Sequence, residues 1–233
     1  VNVFRLNFSH GAHEDKIEVI EKIRTIIKNE PYNIAILGDL QGPKLRVGDL
    51  EEGKVLLVEG EKVIFTTEKM IGTKDKLYVS YPNLTTDVKP GERIFLDDGK
   101  MELKVLEIIN DKEIRLSVTL GGMLFPKKGV NLPDSGLTMP SLTEKDIADL
   151  AFIIEHKLDW VALSFVRKTE DIIDLKRRIK EKHSKIKVIA KIEMPEALKN
   201  LRDIIVESDG IMIARGDLGV EIPIEQVPII QKD

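Results

Sequence analysis

Apolar residues recur along this chain with two different periods, and the period switches twice. Residues 1–42 open on the run NVFRLNF, which reads as a buried strand. They continue into EDKIEVIEKIRTIIKNE, where Ile17, Ile20, Ile23 and Ile27 fall at helical spacing, and return to a strand in NIAILGDL. Two apolar strands joined by an amphipathic helix predict a parallel crossover unit. From 43 to 130 the helical period is absent. KVLLVEGEKVIFTTE, KLYVSY, ERIFLDDGKMELKVLEII and EIRLSVTL are short β-rich runs punctuated by Gly, Asp and Pro, and DDGK carries a hairpin signal. This stretch predicts a separate antiparallel barrel or sandwich.

After KKGVNLPDSGLTMP the strand–helix alternation returns and occupies 131–233. SLTEKDIADLAFIIEHKL has Thr143 as a cap, with Ile147, Leu150, Ala151 and Ile154 on one face. WVALSFV, IKVIAKIEM and GIMIARGD read as strands. TEDIIDLKRRIKEKH and PEALKNLRDIIVES read as helices, the second with Pro195 near its start. A β module inserted into a βα repeat is therefore expected, and the pattern alone leaves an open sheet and a TIM-type barrel both possible. VNVFRLNF opens the chain without an initiator Met and IEQVPIIQKD ends it inside a starting helix, so a segment of a longer protein is expected.

The composition narrows the function class. The chain has 233 residues, 42% hydrophobic and 33% charged, as expected of a globular protein with a sizeable core. A net charge of −4 disfavours a nucleic-acid partner. The absence of cysteine excludes disulfides and thiolate metal sites, and fits a reducing, cytoplasmic compartment. No apolar run approaches the ~20 residues of a membrane span, and no signal peptide opens the chain.

Ligands of parallel sheets and barrels gather at the carboxyl ends of the strands, and four apolar strands here end in polar groups. Lys191 and Glu193 share a parity, as do Arg215 and Asp217, and Arg5, Asn7 and Ser9. Leu37 and Asp39 share one if that strand persists so far. A lone Lys–Glu pair reads as a structural ion pair; four such endings point to a site. Glu193 and Asp217 are hard oxygen ligands which, with substrate oxygens and waters, suit Mg2+ or Mn2+. Arg5, Arg46 and Lys191 are cations, and arginine forks onto phosphate. A divalent ion with several cations describes stabilisation of a transferring phosphoryl group. No Walker-type loop is present. The two glycines of ARGDLG read as a plain turn or as close backbone approach to an anion.

NVFRLNFSHG, GDLQGPKLR, KKGVNLP, DWVALSFVR, AKIE and GIMIARGDLGVEIP, in this order, resemble pyruvate kinase over essentially the whole chain. The resemblance implies an α/β fold: a partial (β/α)8 TIM-type barrel, strands two to six, carrying an inserted all-β barrel domain. A regulatory domain of the family has no counterpart here. It implies phosphoryl transfer from phosphoenolpyruvate to ADP, giving pyruvate and ATP. It places the divalent ion on Glu193 and Asp217, and assigns Lys191 to the transferring phosphoryl group and the enolate. Arg5 and Arg46 would bind phosphates, and the backbone from Ala214 through Arg215 and Gly216 to Asp217 the substrate carboxylate. Asn7, His10 and Lys128 would serve the nucleotide. The insert would act as a water-excluding lid, hinged at Gly42–Pro43 and Lys128–Gly129. The full-length protein would be a homotetramer. The family's Thr beyond strand six, involved in enolate protonation, has no counterpart here, which puts turnover by this segment in doubt.

One loop departs from the family pattern. Members that need K+ carry a DTKGPE-like sequence where this chain has DLQGPK. Asn7, Ser9 and Asp39 could still offer oxygens to a monovalent cation, but Leu40 brings no hydroxyl and Lys44 brings a positive charge. A second cation about 4 Å away would be repelled by about 4 kcal/mol at an effective dielectric of about 20. The expectation is that the Lys44 ammonium replaces K+; the plainer reading is an exposed hinge lysine. Another metal-dependent barrel acting on phosphoenolpyruvate or pyruvate, of aldolase type, and a truncated non-catalytic segment are the alternatives. An open five-stranded barrel would leave unpaired edges and is expected to be unstable alone.

Overall fold

The computed structural model describes residues 1–28 and 33–233. In chain order it begins with β1 (Val3–Asn7), α1 (His13–Lys28) and β2 (Ala35–Asp39). Then come β3 (Val55–Leu57), β4 (Lys62–Thr66), β5 (Lys76–Tyr78), a single helical turn α2 (Leu84–Asp87), β6 (Arg93–Leu96), β7 (Met101–Ile108), β8 (Glu113–Leu120), β9 (Gly122–Leu124) and β10 (Val130–Asn131). The remainder is α3 (Glu144–Glu155), β11 (Trp160–Leu163), α4 (Thr169–Glu181), β12 (Lys187–Ile192), α5 (Pro195–Lys199), α6 (Leu201–Glu207), β13 (Gly210–Ile213), α7 (Arg215–Glu221) and α8 (Val227–Ile230). Contacts divide the chain into one unit of 1–43 and 140–214, and a second of 44–139 and 215–233. Among the described residues no helix is long and apolar enough to cross a membrane.

The first unit is a five-stranded parallel sheet in the order β1-β2-β11-β12-β13, a curled part-barrel, one of the two arrangements that the βα repeat left open. Its inner strands AILGD, WVAL and KVIAKI are almost continuously buried, because helices on one side and neighbouring side chains on the other leave no wet face. β1 lies at the edge of this sheet and, contrary to the buried strand expected, is mostly exposed: Val3 and Phe4 retain 45% and 38% of their surface. α1 buries Ile20 and Ile23, with Ile17 and Ile27 half-buried against the same core. The last two positions of its expected extent, 29 and 30, lie outside the described residues.

α3 begins as expected at Thr143, with a reciprocal capping box. Asp146 N–H donates to Thr143 Oγ1 at 3.1 Å, and Thr143 N–H donates to Asp146 Oδ2 at 2.9 Å. Its buried face differs from the expected one. Leu150, Phe152 and Ile153 are inside, while Ile147 and Ala151 are exposed, because Asp146 and Asp149 occupy the inward stripe. The predicted helix 195–208 is broken at Asn200, whose side-chain amide donates to Arg167 O at 2.9 Å and Glu196 O at 3.2 Å. GIMIARGD is not a single strand either: β13 stops at Ile213 and Arg215 begins α7.

The second unit is built on a six-stranded sheet, β10-β6-β7-β8-β4-β5, and a two-stranded one, β3-β9. β7 and β8 alternate buried and exposed positions, the period of a half-buried strand. DDGK is the expected hairpin: Asp97, Asp98 and Gly99 have φ of 50°, 58° and 83°, the left-handed conformation such turns require. The pairing is not wholly antiparallel, since β4 and β5 run parallel in the register Ile64↔Lys76. Leu137 and Met139 also pack on this β core. Next to them, Thr138 N–H donates to Asp87 Oδ2 at 2.8 Å, beside the Tyr81 hydroxyl. Burial, with the Asp87 bond second, pushes the Tyr81 phenol up to about 12.

Candidate functional site

In the first unit, the strand ends bring four charged side chains into an alternating row. β2 does persist to Asp39, which puts its carboxylate beside β1, where Arg5 Nε donates to Asp39 Oδ2 at 2.6 Å. On the other side, Lys191 Nζ lies 3.3 Å from Asp39 Oδ1 and 3.4 Å from Glu193 Oε2. Asp39 and Glu193 are each 2% exposed and Lys191 is 9% exposed, whereas half of the Arg5 side chain remains in water. Two acids and one ammonium are thus held away from solvent, and the half-exposed guanidinium closes the row. Breaking such a buried set by removing one partner is costly, on the order of 3–5 kcal/mol.

Glu193 and Lys191 take further partners from the turn after β11. Phe165 N–H donates to Glu193 Oε1 at 2.7 Å, from a residue in the left-handed region at φ 56°. Lys191 Nζ donates to Ser164 Oγ at 2.7 Å, and Ser164 Oγ donates in turn to Leu40 O, also at 2.7 Å. Gly42 closes over this turn. Its φ is 68°, and a Cβ there would lie 2.7 Å from Phe165 Cδ2 and 3.0 Å from Ser164 Cβ.

The other expected site residues are distributed as follows. Asn7 ends β1, but Ser9 lies beyond the strand, so the shared parity does not apply to it; its amide donates to Asn7 Oδ1 at 2.9 Å. His10 is exposed in the turn that follows. Two lysines that sequence reasoning passed over hold this turn by its carbonyls. Lys16 Nζ donates to His10 O at 2.7 Å and Gly11 O at 3.1 Å, and Lys145 Nζ donates to Phe8 O at 2.6 Å. Burial holds the Lys16 ammonium below the ordinary lysine range, against the opposing pull of Asp149. Leu40 is 1% exposed and contributes to the core, with its carbonyl taken by Ser164.

Arg46, Lys44 and Lys128 belong to the second unit. Arg46 Nη1 donates to Lys127 O at 2.7 Å, Lys44 is half-buried, and Lys128 Nζ pairs with Asp97 Oδ1 at 2.9 Å. The Lys128 hydrogen bond, ahead of the Lys100 one, holds the Asp97 carboxyl below its usual range. Ala214 closes the first unit; Arg215, Gly216 and Asp217 are exposed in the first turn of α7. Arg215 and Asp217 therefore do not share a strand face: two residues apart on a helix, they point about 200° apart around its axis.

For a divalent ion, the donor chemistry fits. Glu193, in the first unit, presents a hard carboxylate fixed by a backbone N–H; Asp217 belongs to the second unit. Among the described residues no three His, Asp or Glu side chains gather into a complete metal cage, so an ion held here would take its other ligands from substrate and water.

Residues 1–233 match a family model described as pyruvate kinase, barrel domain. Pyruvate kinases of Staphylococcus epidermidis and Staphylococcus aureus are each 43% identical over 234 aligned residues, covering 100% of this chain and 40% of theirs. A crystal structure of a pyruvate kinase from Cryptosporidium parvum matches with a TM-score of 0.94 at 37% identity, over 100% of this chain and 49% of that one. The chain thus spans less than half the length of these relatives.

Proposed function

This chain belongs to the pyruvate kinase family, and from that premise we propose that it carries the centre that transfers a phosphoryl group from phosphoenolpyruvate to ADP, giving pyruvate and ATP. The observation that carries the reading is the Lys191 ammonium, buried between Asp39 and Glu193 at a strand end with Arg5 alongside. A cation fixed there meets the negative charge that spreads over the equatorial phosphoryl oxygens, and then over the enolate oxygen, without having to reorient. Arg5 and Arg46 bind phosphate oxygens. The backbone of Ala214 to Asp217 receives the substrate carboxylate. Asn7, His10 and Lys128 serve the nucleotide. By motif match, Glu193 and Asp217 would hold Mg2+ or Mn2+, which when bound supplies positive charge to polarise phosphoryl and carboxylate oxygens. In the intact protein a homotetramer and a cytoplasmic location go with this reading.

The test is ADP-dependent formation of pyruvate from phosphoenolpyruvate by the intact protein with Mg2+. Pyruvate and ATP should appear in equal amounts. Pyruvate or aldol products formed without ADP would favour an aldolase-like barrel and overturn the proposal.

The reaction should also proceed without K+. Asp39 already faces two cations, and Asn7 Oδ1 already accepts the Ser9 amide, so two of the three side chains that could offer oxygen to a monovalent ion are engaged. Lys44 brings a fixed positive charge in place of a mobile one. Activity in buffer free of Na+ and K+ should match that with K+ added, and Lys44→Glu should create a K+ requirement. Many-fold K+ activation of the unaltered protein would end this idea.

A further inference from the structure

The turn after β11 contains a serine that neither the fold nor the proposed transfer step requires. Ser164 is 2% exposed and its hydroxyl makes two contacts, each at 2.7 Å: it donates its proton to Leu40 O and accepts from Lys191 Nζ. A hydroxyl has one proton and two lone pairs. With the proton committed to the Leu40 carbonyl, only lone-pair density faces Lys191, so the contact has a fixed polarity. Asp39 and Glu193 also draw the ammonium, but at 3.3 and 3.4 Å, beyond the usual length of a strong charge-assisted bond. Ser164 therefore supplies the short bond that fixes where the Nζ points, and the two acids supply charge.

The backbone around it is built to keep this geometry. Phe165, the next residue, takes φ 56°, a conformation that bulky side chains avoid, at a cost of order 1–3 kcal/mol. In that conformation its N–H reaches Glu193 Oε1 at 2.7 Å. One dipeptide thus grips Lys191 by a hydroxyl and Glu193 by an amide, and Gly42 is the residue whose missing side chain leaves it room.

We propose that Ser164 is a positioning residue for the phosphoryl-transfer step, acting through Lys191; this rests on the role given to Lys191 above. Loss of its hydroxyl should let the ammonium swing toward either acid and spend less time where the transferred group develops charge. In the intact protein with Mg2+, Ser164→Ala and the near-isosteric Ser164→Cys should each lower kcat about 10- to 100-fold. KM for phosphoenolpyruvate and ADP should change little, while the thermal midpoint should fall, because the buried Leu40 carbonyl loses its donor. The cysteine variant keeps the volume filled, so it decides the matter should the alanine variant fail to fold. Wild-type kcat in either folded variant, or a loss confined to KM, would overturn the proposal. Lys191→Met, assayed in parallel, separates the two levels: if it remains fully active, the role of Lys191 itself is wrong; if it is inactive while the Ser164 variants are not, only the positioning role falls.

Discussion

Lys191→Met should reduce kcat by about a thousandfold, an effect of about 4 kcal/mol on the transition state. Methionine is unbranched like lysine and only one heavy atom shorter, so the change removes the charge and the donor but little volume. The buried position raises the stakes. In water a single ammonium is worth little to a phosphate, but at 9% exposure, between two carboxylates at 2%, its field is poorly screened. The same burial predicts a second consequence. With Lys191 gone, Glu193 loses the ammonium now 3.4 Å from its Oε2, and Asp39 keeps only the half-exposed Arg5. Stability should drop as well, so kcat has to be scaled to the folded fraction measured by circular dichroism. A variant that retains kcat within tenfold of wild type would show that the charge on the transferred group is met elsewhere.

A large loss of stability with no direct bearing on the transfer step is expected at Asp146. This side chain is fully buried and receives three hydrogen bonds: from Thr143 N–H at 2.9 Å, from Thr143 Oγ1 at 2.6 Å and from Gly42 N–H at 3.1 Å. It closes the capping box of α3 and ties that helix to the end of the segment 1–43. Asp146→Ala would strand two backbone donors in a dry environment. Each costs about 1–3 kcal/mol, so a loss of about 2–6 kcal/mol is expected. Urea denaturation of the intact protein should show a lower midpoint with an unchanged slope. Asp146→Asn keeps the shape and one acceptor, and should fall between the two. An alanine variant as stable as wild type would mean that water or a rearranged Thr143 replaces the carboxylate.

The sequence made the strand–helix alternation, the β insert and the polar strand endings legible, because each writes a period or a boundary into a few residues. Lys191 and Glu193 were found by counting alternate positions at the end of an apolar run. The same count carried one residue past WVAL would have picked out Ser164, the first residue after its strand as Glu193 is the first after β12; a lone serine simply looks like the start of a loop. Arg215 and Asp217 show where the count misleads. It assumes that the strand continues, and nothing in IMIARGD announces that Arg215 opens a helix. The face of α3 was misread for a related reason. Asp146 and Asp149 look like solvent-facing residues, yet one is a cap and the other is held by His13 and Lys145, at 2.7 and 2.6 Å. Hydrophobic spacing cannot see a buried acid, some of whose partners, Gly42 for Asp146 and His13 for Asp149, lie more than a hundred residues away. β1 reads as core because its residues are apolar, and here it lies at the edge of the sheet.

Gly42 carries an implication for anyone who would swap the β unit for another domain. The splice cannot fall before it: even an alanine at this position would wedge a methyl group against Ser164 and Phe165, on a backbone already turned the way glycine prefers. Domain exchange at this junction should therefore preserve Gly42 as part of the framework that seats Ser164 and Phe165, and treat the first freely exchangeable residue as one that follows it.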